Sequence, residues 1–271
     1  MWIERPWGRL SVWRTGTGPA VCALHGLGGS GRYWAGLASL LAPPRSVIAP
    51  DLAGFGQSDK PELRYDRAFH LAELEHLLDQ LDPTGPTVLI GHSAGAVLAA
   101  LWVARHPERA AGLAMVSAPF PNRGLMPDVA QRVAERPPAD RGTALPLLAR
   151  VIWPILSTIA IASKRFPADV VRDFGKQSVA ARADTMWTFL GDVSVLEELA
   201  ALRTLPRSIP TLLLTASDDR YVGQYALSRW RHFLPNAEVR FAPSGGHQFL
   251  LRTGFDSIAN WINELPHYES G

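Results

Sequence analysis

Thr87-Val88-Leu89-Ile90-Gly91-His92-Ser93-Ala94-Gly95 is the stretch whose reading decides the fold. An apolar run short enough for a buried strand meets a small-residue segment, Ala94–Arg105, that reads as a helix closed by Pro107. Between them stand Gly91 and Gly95, two residues either side of Ser93. A serine lifted on a sharp strand-to-helix turn requires tiny neighbours at those two positions, because larger side chains would collide. Such a turn exposes the hydroxyl above the sheet. It also aims the N–H of Ala94, at the helix N-terminus, toward a developing negative charge.

Working outward, short apolar runs alternate with helical patterns, which predicts a mainly parallel sheet with crossover helices. Buried strands are expected at Ala20–Leu24, Ser46–Ala49 and Val88–Ile90, and further strands at Gly112–Ser117, Thr211–Thr215 and Glu238–Phe241. Residues 9–14 alternate as a half-exposed edge strand would. Leu71, Leu74, Leu77, Leu78 and Leu81 predict a helix over 70–81, and a final helix is expected near 254–264. After Pro119 the pattern changes: seven prolines from Pro121 to Pro167 punctuate a mostly helical, apolar region without strand signals. Residues 121–205 are therefore expected as a helical insertion, carried by a core made of residues 1–120 and 206–271.

A serine hydroxyl needs a base to take its proton, and the base needs an orienting acid. Among eight histidines, His247 leads, because Ser244-Gly245-Gly246-His247 places an imidazole on a close-approaching loop after a strand. His70, His76 and His106 fall in helical stretches and are expected on surfaces. His92 lies inside the turn, with its ring expected to point away from the hydroxyl, and His25 is expected to tie down its own loop. The strand from Leu212 ends in Asp218-Asp219. Asp219 is the expected orienting acid and Asp218 the alternative; the bland reading of the pair is a solvated turn with a helix cap. Leu24-His25-Gly26-Leu27-Gly28-Gly29-Ser30 follows a buried strand, and its glycines let the loop fold close to Ser93. The N–H of Leu27 is then the expected second donor beside that of Ala94.

Composition sets the outer bounds. The 271 residues suffice for one large α/β domain, and 47% hydrophobic against 19% charged residues describes a globular chain. A net charge of +2 without a basic run gives no case for nucleic acid. The single cysteine, Cys22, excludes an intramolecular disulfide and reads as a small buried hydrophobe. A cytoplasmic location is expected from that cysteine usage and from a first segment without the pattern of a secretory signal. The longest uncharged apolar stretch, between Arg150 and Lys164, is too short for a membrane span. No metal cluster, P-loop or dinucleotide fingerprint is present in the sequence, so neither metal nor cofactor is expected.

Together these residues resemble the α/β-hydrolase superfamily, in its lid-bearing branch of esterases, thioesterase-like enzymes and carbon–carbon bond hydrolases. The resemblance also includes Gly18-Pro19, Asp51-Leu52-Ala53-Gly54-Phe55-Gly56-Gln57-Ser58-Asp59, His106-Pro107-Glu108-Arg109 and Ile209-Pro210-Thr211. It implies a nucleophile at Ser93, a base at His247, an acid at Asp219, and backbone oxyanion donors at Leu27 and Ala94. Ala216 stands where relatives commonly carry a glycine three residues before the acid. The dehalogenases and epoxide hydrolases of the superfamily carry aspartate at the position of Ser93, which argues against both chemistries. The implied reaction is hydrolysis of an ester or thioester. Elimination or cyclisation without net hydrolysis, and a catalytically silent ligand-binding protein, are the alternatives. The apolar residues of 121–205 (Val151, Ile152, Trp153, Ile155, Leu156, Ile159, Ile161, then Met186, Trp187, Phe189 and Leu190) suit a hydrophobic small-molecule substrate. A lid that opens at lipid is the second reading of the same residues. Trp34, Phe55 and Phe249 lie near the expected site and are read as pocket or core. The expected assembly is a monomer or homodimer.

Overall fold

The computed structural model describes residues 1–41, 45–81, 85–122 and 168–265. Eight strands form one sheet: β1 (Trp2–Arg5), β2 (Gly8–Thr15), β3 (Ala20–Leu24), β4 (Ser46–Pro50), β5 (Thr87–His92), β6 (Ala110–Val116), β7 (Thr211–Ala216) and β8 (Glu238–Ala242). Their spatial order is β1-β2-β4-β3-β5-β6-β7-β8. β1 pairs antiparallel with β2, and β2 antiparallel with β4; every pairing from β4 to β8 is parallel. Strands β3 to β7 are buried at every residue. That is the pattern of a sheet covered on both faces, and it is why they read as continuous apolar runs.

The predicted edge strand at residues 9–14 is not at the edge. β1 lies outside it, with Ile3 opposite Leu10. Its face alternation is as read, with Leu10 and Val12 inward.

The main helices are α1 (Arg67–Leu81), α2 (Ala94–Arg105), α3 (Ala168–Phe174), α4 (Val179–Met186), α5 (Val195–Leu199), α6 (Gln224–Phe233) and α7 (Asp256–Glu264). Two apolar layers flank the sheet. One joins Leu71, Leu74, Leu98, Trp102, Phe189 and Trp230. The other joins Trp34, Leu37, Phe255, Ile258, Trp261 and Ile262. Trp34, Phe55 and Phe249 are core residues, at most 2% exposed. Cys22 is fully buried, and burial pushes its thiol up to about 12.

Between β6 and β7 the described residues form helices, so a mostly parallel sheet carries a helical insertion. The cluster Val151–Ile161 lies outside the described residues. Arg67, at the start of α1, holds the insertion by donating to Asp192 (2.8 Å), Glu198 (2.8 Å) and the Ser194 hydroxyl (3.0 Å). No helix among the described residues is long and apolar enough to cross a membrane.

His70 corrects the expectation of a surface histidine. It is 1% exposed, shares a 2.9 Å hydrogen bond with the Thr185 hydroxyl of the insertion, and packs near Phe189. It occupies the apolar face of α1, between Leu74 and Leu77 in phase, a position where an imidazole survives as a neutral ring with one partner.

Burial, with His25 nearby as a lesser cause, lowers the His70 pKa from 6.5 to about 3. The folded chain thus refuses a proton that the unfolded chain accepts below pH 6.5. The stabilisation is complete above that value and is lost as pH falls toward 3. Each such group steepens the loss by at most about 1.4 kcal/mol per pH unit. His70→Gln is expected to flatten the pH dependence of stability across this window, as measured by urea unfolding.

Candidate active site

β5 ends at His92 and α2 begins at Ala94, so the chain turns at Ser93 alone. Ser93 has φ 55° and ψ −122°, a conformation that side chains rarely adopt and that costs on the order of 1–3 kcal/mol. Its N–H donates to the Val116 carbonyl (2.9 Å), and its carbonyl accepts from the Ala96 N–H (2.9 Å). A Cβ on Gly91 would overlap the Gly95 carbonyl. One on Gly95 would lie 2.5 Å from the His25 carbonyl oxygen, and one on Gly26 would lie 2.9 Å from Ser93 Cβ. The glycines therefore let three segments meet at one serine.

His247 stands in the short turn Gly246–Gln248 after β8. Gly245 (φ 119°) and Gly246 (φ 64°) lead into it, conformations for which glycine is suited. The Asp218 carboxylate accepts from both of their N–H groups, at 3.2 and 2.8 Å. His247 Nε2 lies 3.0 Å from Ser93 Oγ, and Nδ1 lies 3.0 Å from Asp219 Oδ2. Asp219 Oδ1 accepts from the N–H groups of Tyr221 (2.9 Å) and Val222 (3.2 Å).

Burial alone would raise the Asp219 pKa. Hydrogen bonding and charge from His247 and the hydrogen bond from the Tyr221 N–H outweigh it and bring the group down to about 2. An ionised Asp219 accepts from Nδ1–H, which leaves the Nε2 lone pair facing the Ser93 hydroxyl.

Of the two adjacent acids, Asp219 touches the ring and Asp218 holds the glycine backbone. His92 points away from the serine hydroxyl, as expected: its Nε2 donates to the His247 carbonyl at 2.8 Å. Burial, then the neighbouring His247, lowers its pKa to about 3, so it is a neutral donor. His25 also fits its expected part. Nδ1–H donates to the Gly26 carbonyl (2.8 Å), and Nε2 accepts from the Leu52 N–H (3.0 Å). The Asp51–Asp59 loop is architectural: Asp51 accepts from the N–H groups of Gly31 (2.6 Å) and Gln57 (2.7 Å).

Ala94 is the first residue of α2, next to Ser93. Leu27 sits in a turn closed by a 3.0 Å bond from the Gly29 N–H to the Gly26 carbonyl. Outside His247 opens a cleft of about 610 Å³, walled in part by Tyr221, Gln248, Arg220 and Arg252. The Tyr221 ring stands edge-on to His247, 5.3 Å between centroids.

Sequence reasoning missed three supports: the Tyr221 and Val222 N–H groups, the grip of Asp218 on Gly245 and Gly246, and the bond from His92 to the His247 carbonyl. The second was signalled by two consecutive glycines before His247, which need a partner to fix them.

A model of the alpha/beta hydrolase fold family matches residues 19–252. The chain belongs to this family. An uncharacterised protein of Mycobacterium tuberculosis is 40% identical over 103 residues, 38% of this chain and 30% of that protein. The match thus spans about a third of that relative's length. A haloalkane dehalogenase of Mesorhizobium japonicum is 39% identical over 100 residues, 37% of this chain and 32% of that one. A cis-3-alkyl-4-alkyloxetan-2-one decarboxylase of Shewanella oneidensis is 26% identical over 98% of this chain and 86% of its own. Among solved structures, the thioesterase domain from the curacin biosynthetic pathway superposes with a TM-score of 0.75. It is 19% identical and covers 97% of this chain and 98% of that one, a likeness of fold. Family and fold support catalysis of a hydrolase-like kind.

Gly95→Ala is expected to destabilise the protein by about 1–3 kcal/mol, since the new methyl group meets backbone carbonyls that cannot rotate away. Urea unfolding of the variant beside the native chain measures this directly.

Proposed function

We propose that the chain is a serine hydrolase that cleaves an ester or thioester of a hydrophobic small molecule through an acyl-serine intermediate. The observation that carries this is the unbroken line from Ser93 Oγ through His247 to Asp219, two links of 3.0 Å each. Ser93 attacks the carbonyl carbon while His247 Nε2 takes the hydroxyl proton. The resulting imidazolium is balanced by the Asp219 carboxylate. The N–H groups of Leu27 and Ala94 receive the oxyanion, a contribution worth about 10²–10³ in turnover per donor. His247 then protonates the leaving group, which departs. It next activates a water that releases the acid and restores Ser93.

Serine rather than aspartate at position 93 separates this reading from halide displacement, despite the dehalogenase similarity over 100 residues. The core is assigned to residues 1–120 and 206–271, and the cap to 121–205. The apolar composition of the cap supports a hydrophobic acyl or alcohol group.

A second reading, elimination without net hydrolysis, is favoured by one observation: the similarity to the oxetanone decarboxylase runs over 98% of the chain. Turnover in ¹⁸O-labelled water separates the two, since only hydrolysis places solvent oxygen in the acid product.

Intact-mass labelling with a fluorophosphonate tests the principal reading. One adduct on the native protein and none on Ser93→Ala is expected; no adduct on the native protein would move the elimination reading ahead. Asp219→Asn is expected to lower turnover by about 10⁴-fold. Asp218→Asn, which touches only backbone N–H groups, is expected to lower it far less.

A further inference from the structure

Helix α3 of the insertion is seated on the loop that follows β3. The Phe174 ring occupies the place that a Cβ on Gly28 would take. One residue earlier, Asp173 is 2% exposed and spans the junction. Its Oδ2 accepts from the Ser30 hydroxyl (2.6 Å) and from Arg32 Nε (2.9 Å), while its Oδ1 accepts from an Arg32 terminal N–H (2.6 Å). Charge-assisted, bidentate bonds of this length fix orientation as well as distance. A neighbouring attachment, the Ser178 N–H to the Gly54 carbonyl at 2.9 Å, keeps the insertion on the core.

The loop is gripped at both ends. Gly26 abuts Ser93, and the far end is held by Asp51 at the Gly31 N–H and by Asp173 at Ser30 and Arg32. Between the grips lie Leu27, Gly28 and Gly29. Two of these three are glycines, and Gly28 has φ 73°. The bond from the Gly29 N–H to the Gly26 carbonyl closes the turn, but that one bond is the stretch's own stiffening, and its glycines add none. Its backbone geometry depends on where its ends are fixed.

We infer that Asp173 is a positioning residue: from the helical insertion, it holds the Leu27 backbone N–H where the oxyanion forms, so that oxyanion stabilisation requires the insertion to be seated. The inference rests on the serine-hydrolase reading above. Asp173 touches no reacting atom; it acts through Ser30 and Arg32. Because an oxyanion donor favours the transition state over the ground state, its displacement appears in kcat more than in KM.

The test combines hydrogen–deuterium exchange with steady-state kinetics on full-length Asp173→Asn, beside the native protein. Faster exchange confined to residues 26–32 is expected. With it, kcat should fall about 10- to 100-fold, part of the full value of one donor, and KM should change by less than about threefold. Arg32→Lys keeps the charge pair without the fork. It should give the same changes in smaller measure, and it serves if Asp173→Asn does not fold.

Unchanged exchange over 26–32 would overturn the inference, as would faster exchange with native kcat. A rise in KM at constant kcat would assign Asp173 to substrate binding and overturn it too. Absence of a fluorophosphonate adduct on the native protein marks the separate failure of the hydrolase reading, and the positioning role inferred for Asp173 falls with it.

Discussion

Everything at the site depends on how closely backbone approaches backbone around Ser93. The loop after β3, the last residues of β5 and the first turn of α2 meet where Gly26, Gly91 and Gly95 have no side chains, with no room for a methyl group at any of the three. The strain of Ser93 is tolerable because the surrounding sheet fixes it: its N–H is held by Val116 on the neighbouring strand β6. The serine is thus presented by a strand that is buried at every residue. His247 and Asp219 arrive on loops beyond strands β8 and β7, from the same end of the parallel strands, the usual place for sites in open α/β sheets.

Adjacent residues divide labour in this chain. Asp218 and Asp219 are neighbours with the same chemistry, yet one fixes the glycine backbone ahead of the histidine and the other fixes its ring. His92 and Ser93 are likewise neighbours that face different ways. The histidine ring ties the turn to the carbonyl of His247, so two loops far apart in sequence are held by both a side-chain and a main-chain link. Three of the buried histidines (His25, His70 and His92) use their ring nitrogens to fasten segments together. Such rings work in neutral form because burial disfavours the charged one.

Much of this was legible because it is written in local signals. Ala20–Leu24 and Ala94–Arg105 have the bounds that the apolar runs indicate, and the other interior strands fall within two residues of theirs. The glycine spacing around Ser93 marks the turn, and Gly245-Gly246 marks the histidine loop. What escaped depends on tertiary context. β1 is four residues long with one inward side chain, Ile3, and so carries almost no periodicity. Helix α6 hides Ala226, Leu227, Trp230 and Phe233 among polar and charged neighbours. His70 looked like a surface histidine because its partner Thr185 lies 115 residues away. The choice between Asp218 and Asp219 turns on a loop conformation that no pattern of two like residues encodes.

Cys22 has a practical consequence. It is the only cysteine in the chain, it lies in the middle of β3 with no exposure, and its thiol resists ionisation. Thiol reagents act on the thiolate and need access to it, so a thiol buried in the sheet is expected to give little background labelling with maleimides and methanethiosulfonates. A cysteine introduced on the helical insertion, paired with a second on the core, would carry spin labels or fluorophores without any background substitution. The distance between insertion and sheet could then be followed in an otherwise native molecule.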